Sequence, residues 1–181
     1  MLRSALDGLY RFAGYLAGVF LLVIFLLMMA LSLGREAGMN IPAGDDFAAW
    51  SMAAMAFLGL AHTFRSGELI RVGLVLDRLP ASGRRGIEIL CLVIGAAVIL
   101  FFAFYALHMT YDSWRFNDMS QGALAVPLWF PQLGYSVGLA ILAIAFLDEL
   151  AHVLTGHAPR YEKEPPATPE EIVDRAAESG L

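Results

Sequence analysis

Four histidines, one cysteine and a scatter of carboxylates are the side chains in this sequence that could do chemistry. His62 and His152 each stand near the end of a long apolar run, and two imidazoles converging within a helical bundle can ligate a haem iron. The other reading is an interfacial histidine with water or lipid as its partner, which requires no metal. Cys91 is the single cysteine and lies inside an apolar run, so an internal disulfide and thiol-pair redox chemistry are excluded within one chain. Glu88, His108, Asp112, Asp148 and Glu149 all fall at the edges of apolar runs. The middles, around Leu22, Met55, Val98 and Ile141, carry no ionisable side chain. An ion or organic anion crossing about 30 Å of hydrocarbon needs polar partners at depth, or unwound backbone that supplies them. The sequence signals neither. That argues against a solute pathway within this chain, and against a stand-alone exporter, which would want a buried acid.

The elements that must position these residues are apolar spans. The 181 residues are 59% hydrophobic and only 16% charged, against about 25% charged in ordinary soluble domains. Four runs come close to or exceed the ~20 residues a helix needs to cross a bilayer: 12–33, 47–64, 87–111 and 133–155. The first is too long for the core of a cleaved signal peptide and reads as a retained span. A net charge of −5, with no gathered basic patch, gives no footprint for nucleic acid.

Orientation follows from the positive charges. With four crossings, ten of the twelve Lys and Arg residues fall on the side of the termini, leaving only Arg35 and Arg115 opposite. Positive charge stays cytoplasmic, so both termini are expected inside. Trp50, Trp114 and Trp129 then lie at the outer ends of spans, and Tyr10, Phe12 and Tyr15 at the inner end of the first, where amphipathic rings favour the headgroup level.

Between the second and third spans the segment FRSGELIRVGLVLDRLP places Leu69, Val72, Leu76 and Leu79 at helical spacing, with Arg71 and Arg78 on other faces. Gly67 can end the second span and Pro80 can stop the short helix. Such a helix could lie on the inner membrane surface, arginines toward anionic lipid, or pack on its own bundle. The outer loop before Trp129 holds two prolines in an apolar run too short to span, and is expected to rest at the outer interface. Gly14 and Gly18, and Gly134 and Gly138, are one helical turn apart, a spacing that permits close helix approach in lipid. Arg35 and Asp46 flank the first outer loop. Their pairing would pin two helices, whereas a purely solvated pair would contribute little. The fold expected is an all-α integral membrane protein of four transmembrane helices, both ends inside, with a short amphipathic cytoplasmic helix between helices 2 and 3. Residues 1–158 form the membrane domain and 159–181 a flexible cytoplasmic tail, charged and Pro-rich.

The order and spacing of these features resemble a family, the small membrane subunit (DctQ-like) of tripartite ATP-independent periplasmic (TRAP) transporters. Arg35 follows the first span, and acids with Trp50 open the second. Phe57-Leu-Gly-Leu-Ala runs into Arg65-Ser-Gly67, then Ile70-Arg71-Val72 and Asp77-Arg78-Leu79-Pro80. The outer loop carries Ser120-Gln-Gly-Ala-Leu124 and Pro127-Leu-Trp129. Leu69 and Gly73 stand where the family often has His and Asp. The resemblance implies a non-catalytic scaffold for a large membrane subunit that holds the substrate and sodium sites, with a soluble periplasmic protein delivering an organic acid. It implies no cofactor in this subunit, membrane lipids and those two proteins as partners, and the bacterial inner membrane as location.

Overall fold

The computed structural model describes residues 2–39, 42–66 and 81–156. Four helices account for most of them: α1 Leu2–Glu36, α2 Gly44–Ser66, α3 Ala81–Arg115 and α4 Trp129–Leu154. All four are long and apolar enough to cross a membrane, and the described residues contain no strand beyond an isolated bridge between Met119 and Pro127. The segment 67–80, with Gly67, Arg71 and Arg78, and the tail from residue 157 lie outside the described residues.

The helices overrun the apolar runs that announce them. α1 and α3 have 35 residues each, about 52 Å at the α-helical rise. Hydrocarbon demands only the apolar stretch, but α1 continues back toward its start because Leu6 and Leu9 pack on the same core as Tyr10. Along α1 the covered residues Tyr10, Ala13, Ala17, Phe20, Ile24 and Leu27 recur in steps of three and four. That is the 3.5-residue spacing of a left-handed helix pair. The C-terminal ends of α1 and α3 close by one device. Gly38 takes a left-handed conformation after α1, with the Met39 N–H donating to the Gly34 carbonyl at 2.8 Å. Asn117 does the same after α3, with the Asp118 N–H donating to the Ser113 carbonyl at 3.0 Å. Asp45 and Asp46 sit in the first turn of α2, and Arg35, Arg65 and Arg115 in the last turns of α1, α2 and α3. Each charge complements the partial charge of its helix end.

The packing order is α1–α2–α4–α3, an open row rather than a closed bundle, with α1 only brushing α4. Small residues set the close approaches. The His62 ring lies over Gly14, where a Cβ would come within 2.8 Å of it, and Ala17 meets Gly59. Leu31 packs on Gly44 at the other end of the same pair. On α4, Gly134 receives Ala54, and Gly138 lies against the backbone of Phe57 and Leu58. Phe64 and Phe146 stack with centroids 4.2 Å apart, and Phe146 reaches Gly95 of α3. These pairings also fix the register. Gly134 stands opposite Ala54, so the start of α4 is set back by about five residues from that of α2.

Candidate functional site

One group of charged side chains gathers where α1 begins and α2 and α4 end. Arg65 reaches Asp7 of α1 at 3.0 Å with one guanidinium nitrogen, and Glu149 of α4 at 3.4 Å with another. Asp148 stands at 4.0 Å, an ion-pair distance without a hydrogen bond. Glu149 is 2% exposed, whereas Asp7 is half-exposed. At the same end an Arg85 nitrogen of α3 donates to the Val153 carbonyl of α4 at 3.4 Å, which also accepts from the Gly156 N–H at 3.1 Å. Two arginines therefore tie the ends of all four helices together. The chain alternates direction, so the start of α1 and the end of α4 share one side.

Neutral hydroxyls join the last third of α3 to the first third of α4. The Thr110 and Ser136 hydroxyls are 2.7 Å apart, and both lie within hydrogen-bond distance of the Ala106 carbonyl, at 2.8 and 3.2 Å. Beyond them the α3–α4 connection is a tied strap. The Ser120 N–H donates to the Val126 carbonyl and the Leu128 N–H to that of Asp118. The Ser120 hydroxyl accepts from the Val126 N–H at 3.1 Å and donates to the Leu124 carbonyl at 2.8 Å. The apolar run expected at the outer interface is thus a pinned loop with Met119 and Leu124 exposed.

Between the two ends the interior is dry. No Asp, Glu, Lys or Arg lies within residues 12–34, 47–64, 89–111 or 129–147. The buried side chains there are mainly Ala, Leu and Ile, with Ser51, Thr110, Gln132 and Ser136 as polar exceptions in the part away from the charged knot. No group of three or more His, Cys, Asp or Glu suited to a metal occurs among the described residues.

The residues singled out by sequence are distributed as follows. Arg65 sits in the charged knot. Gly14, Gly134 and Gly138 lie in helix contacts, while Gly18 faces open space. Arg35 is exposed, and no ion pair links it to Asp45 or Asp46 among the described residues. Asp46 instead lays its carboxylate against Gly122 of the α3–α4 strap. Trp50 is half-buried with Phe47 edge-on at 5.1 Å, and Trp129 opens α4 beside Phe130. His62 is exposed and lies against Gly14 at the edge of the α1–α2 contact, and nothing in its setting supports the haem reading. Asp7, Thr110 and Ser136 were missed. Asp7 is 58 residues from Arg65, and two hydroxyls in oily runs carry no spacing signal. The only hint was that each lies on a helix face otherwise rich in small residues.

The chain is thus a row of four helices long and apolar enough to cross a membrane, and comparison with known families gives its class. Residues 11–156 match the DctQ component of tripartite ATP-independent periplasmic transporters. The chain belongs to that family, and is a small subunit of a TRAP transporter. It is also similar to the ectoine TRAP transporter small permease protein TeaB of Halomonas elongata, at 27% identity over 93 residues. That match covers 51% of this chain and 48% of the relative, so it spans about half the length of each.

Proposed function

We propose that this chain is the non-catalytic scaffold of a sodium-coupled, binding-protein-dependent organic-acid importer in the bacterial inner membrane, with both termini cytoplasmic. The observation that carries this reading is the dry interior of an open row. A row with two free edges encloses no lumen, and its middle offers no charged or coordinating group to a solute. Solute and sodium sites then belong to a large membrane subunit, which this chain steadies while that subunit moves. The periplasmic binding protein meets the outer face, where the pinned strap and the Trp50 and Trp129 rings lie. The related TeaB is named for ectoine, so ectoine stands beside four-carbon dicarboxylates as a solute to try.

The test is co-purification followed by uptake. Tagged chain should bring down a larger membrane protein. Proteoliposomes with both proteins, the binding protein and a sodium gradient should accumulate solute, and the chain alone should not. Uptake by the chain alone, or no larger partner in any gentle detergent, would overturn the reading. Replacing the sodium gradient by a proton gradient decides the coupling ion.

A further inference from the structure

The seam between α3 and α4 is apolar where Leu139 and Ala143 meet Ala103 and Ala106, and it turns polar toward the start of α4. Thr110 and Ser136 pair there over the Ala106 carbonyl. One helical turn before Ser136, in the first turn of α4, Gln132 lies on the same helix face and is only 8% exposed. The two helices run antiparallel, so the turn of α3 that meets Gln132 is the one beyond Thr110, which carries the buried Ser113. The Gln132 Oε1 atom is enclosed and accepts no hydrogen bond among the described residues. The Tyr135 hydroxyl is enclosed as well. It lies beside Thr110 and Ser136 but meets neither with hydrogen-bond geometry.

We propose that this end of the seam binds one water molecule, held between Gln132 Oε1 and the Tyr135 hydroxyl. The two groups are complementary: an amide oxygen can only accept, and a phenol has a proton to give. Native interiors leave few such groups unpaired, and ordered water is the usual partner where the protein supplies none. Spacing fits. Adjacent helical turns are about 5.4 Å apart, and two hydrogen bonds of ~2.8 Å through one oxygen span about 5.6 Å. One water O–H donates to Gln132 Oε1, the water oxygen accepts from the Tyr135 O–H, and the second O–H donates to a hydroxyl oxygen of the Thr110–Ser136 pair. Three partners are what a buried water ordinarily has. A cation is disfavoured. The Thr110 and Ser136 oxygens are 2.7 Å apart and bonded to each other, not spread around an ion, and Asp112, the acid on this turn of α3, is paired with His108. Without a facing charge an ion's lost hydration is poorly repaid. The inference concerns the α3–α4 contact itself and is independent of the scaffold reading.

The experiment is water-edited solid-state NMR of the full chain in lipid nanodiscs, with isotopic nitrogen only in the glutamine side-chain amides. Gln132 and the exposed Gln121 then give the two signals. Polarisation from water should reach the buried Gln132 amide at a rate within about twofold of that at Gln121. Tyr135→Phe removes one of the three hydrogen bonds and should slow the transfer to Gln132 by about threefold or more. Tyr111→Phe, at an exposed position of α3, should leave it unchanged. Helical circular dichroism in the same nanodiscs checks that Tyr135→Phe is folded. A density map of the wild type fine enough to show surface waters should hold a peak at hydrogen-bond distance from both Gln132 Oε1 and the Tyr135 hydroxyl, and this needs no variant. Slow transfer to Gln132 in the wild type, or equal transfer in the wild type and folded Tyr135→Phe, would overturn the proposal. So would a map without that peak, or one with Gln132 Oε1 bonded directly to a protein donor.

Discussion

Replacing Arg65 by Met removes one guanidinium from three carboxylates of very different exposure: 46% for Asp7, 21% for Asp148 and 2% for Glu149. The Asp7 pair is half in water and contributes no more than about 1 kcal/mol. Glu149 is the costly one, because weakening the pairing of a buried carboxylate destabilises by up to about 3–5 kcal/mol. Arg65→Met should therefore cost about 4 kcal/mol, and Asp7→Asn about 0.5 kcal/mol. Arg65→Met combined with Glu149→Met should recover most of the loss, since a dry pair of similar volume carries no desolvation penalty. The assay is unfolding in mixed micelles of dodecyl maltoside titrated with dodecyl sulfate, followed by helical circular dichroism, as a double-mutant cycle. A coupling of at least about 2 kcal/mol between positions 65 and 149 is expected. Arg65→Met within about 1 kcal/mol of wild type, or a double variant as unstable as the sum of the singles, would refute the argument that the knot fastens the helix ends.

Gly138→Leu should lower the yield of folded chain far more than Gly122→Leu. A Cβ at 138 would meet the Phe57 carbonyl carbon at 2.5 Å, a backbone atom that must shift, while at 122 it meets only the movable Asp46 carboxylate; equal yields by fluorescence-detected chromatography would contradict this. Thr110→Val should cost about 0.6–1.7 kcal/mol in the same micelle assay, the range for hydrogen bonds between membrane helices, because the Ser136 hydroxyl still reaches the Ala106 carbonyl. Ser120→Ala should leave global stability nearly unchanged, yet speed hydrogen exchange at the Val126 amide, whose acceptor is the lost hydroxyl.

Spans were legible in the sequence because the bilayer sets a length, and runs such as 12–33 and 87–111 meet it without ambiguity. Helix ends were not, because they are decided by local closures: α3 passes residue 111 and stops only where Asn117 can turn left-handed. Packing order was also hidden. α1 is oily all round, so its α2-facing stripe of Ala13 and Ala17 and its exposed stripe of Phe12 and Leu22 look alike to hydropathy. Glycine pairs were a better guide, since Gly134 and Gly138 lie where α2 comes closest, but the same spacing at Gly14 and Gly18 puts only the first in a contact. Arg65 could be picked out as a charge ending a span. Its partners could not, because they come from helices far away in the chain and only the fold brings them to it.

The offset between α2 and α4 has a consequence for how the molecule stands in its bilayer. Five residues of axial shift is about 7.5 Å, and it separates the oily belt of the first two helices from that of the last two. Over the ~20 Å between the midlines of those pairs, leaning the whole row by roughly 20° brings both belts into one slab, an ordinary inclination for membrane helices. An upright stance would expose a step of hydrocarbon on one flank and thin or thicken the lipid there, so inclination is how a staggered row meets a flat membrane.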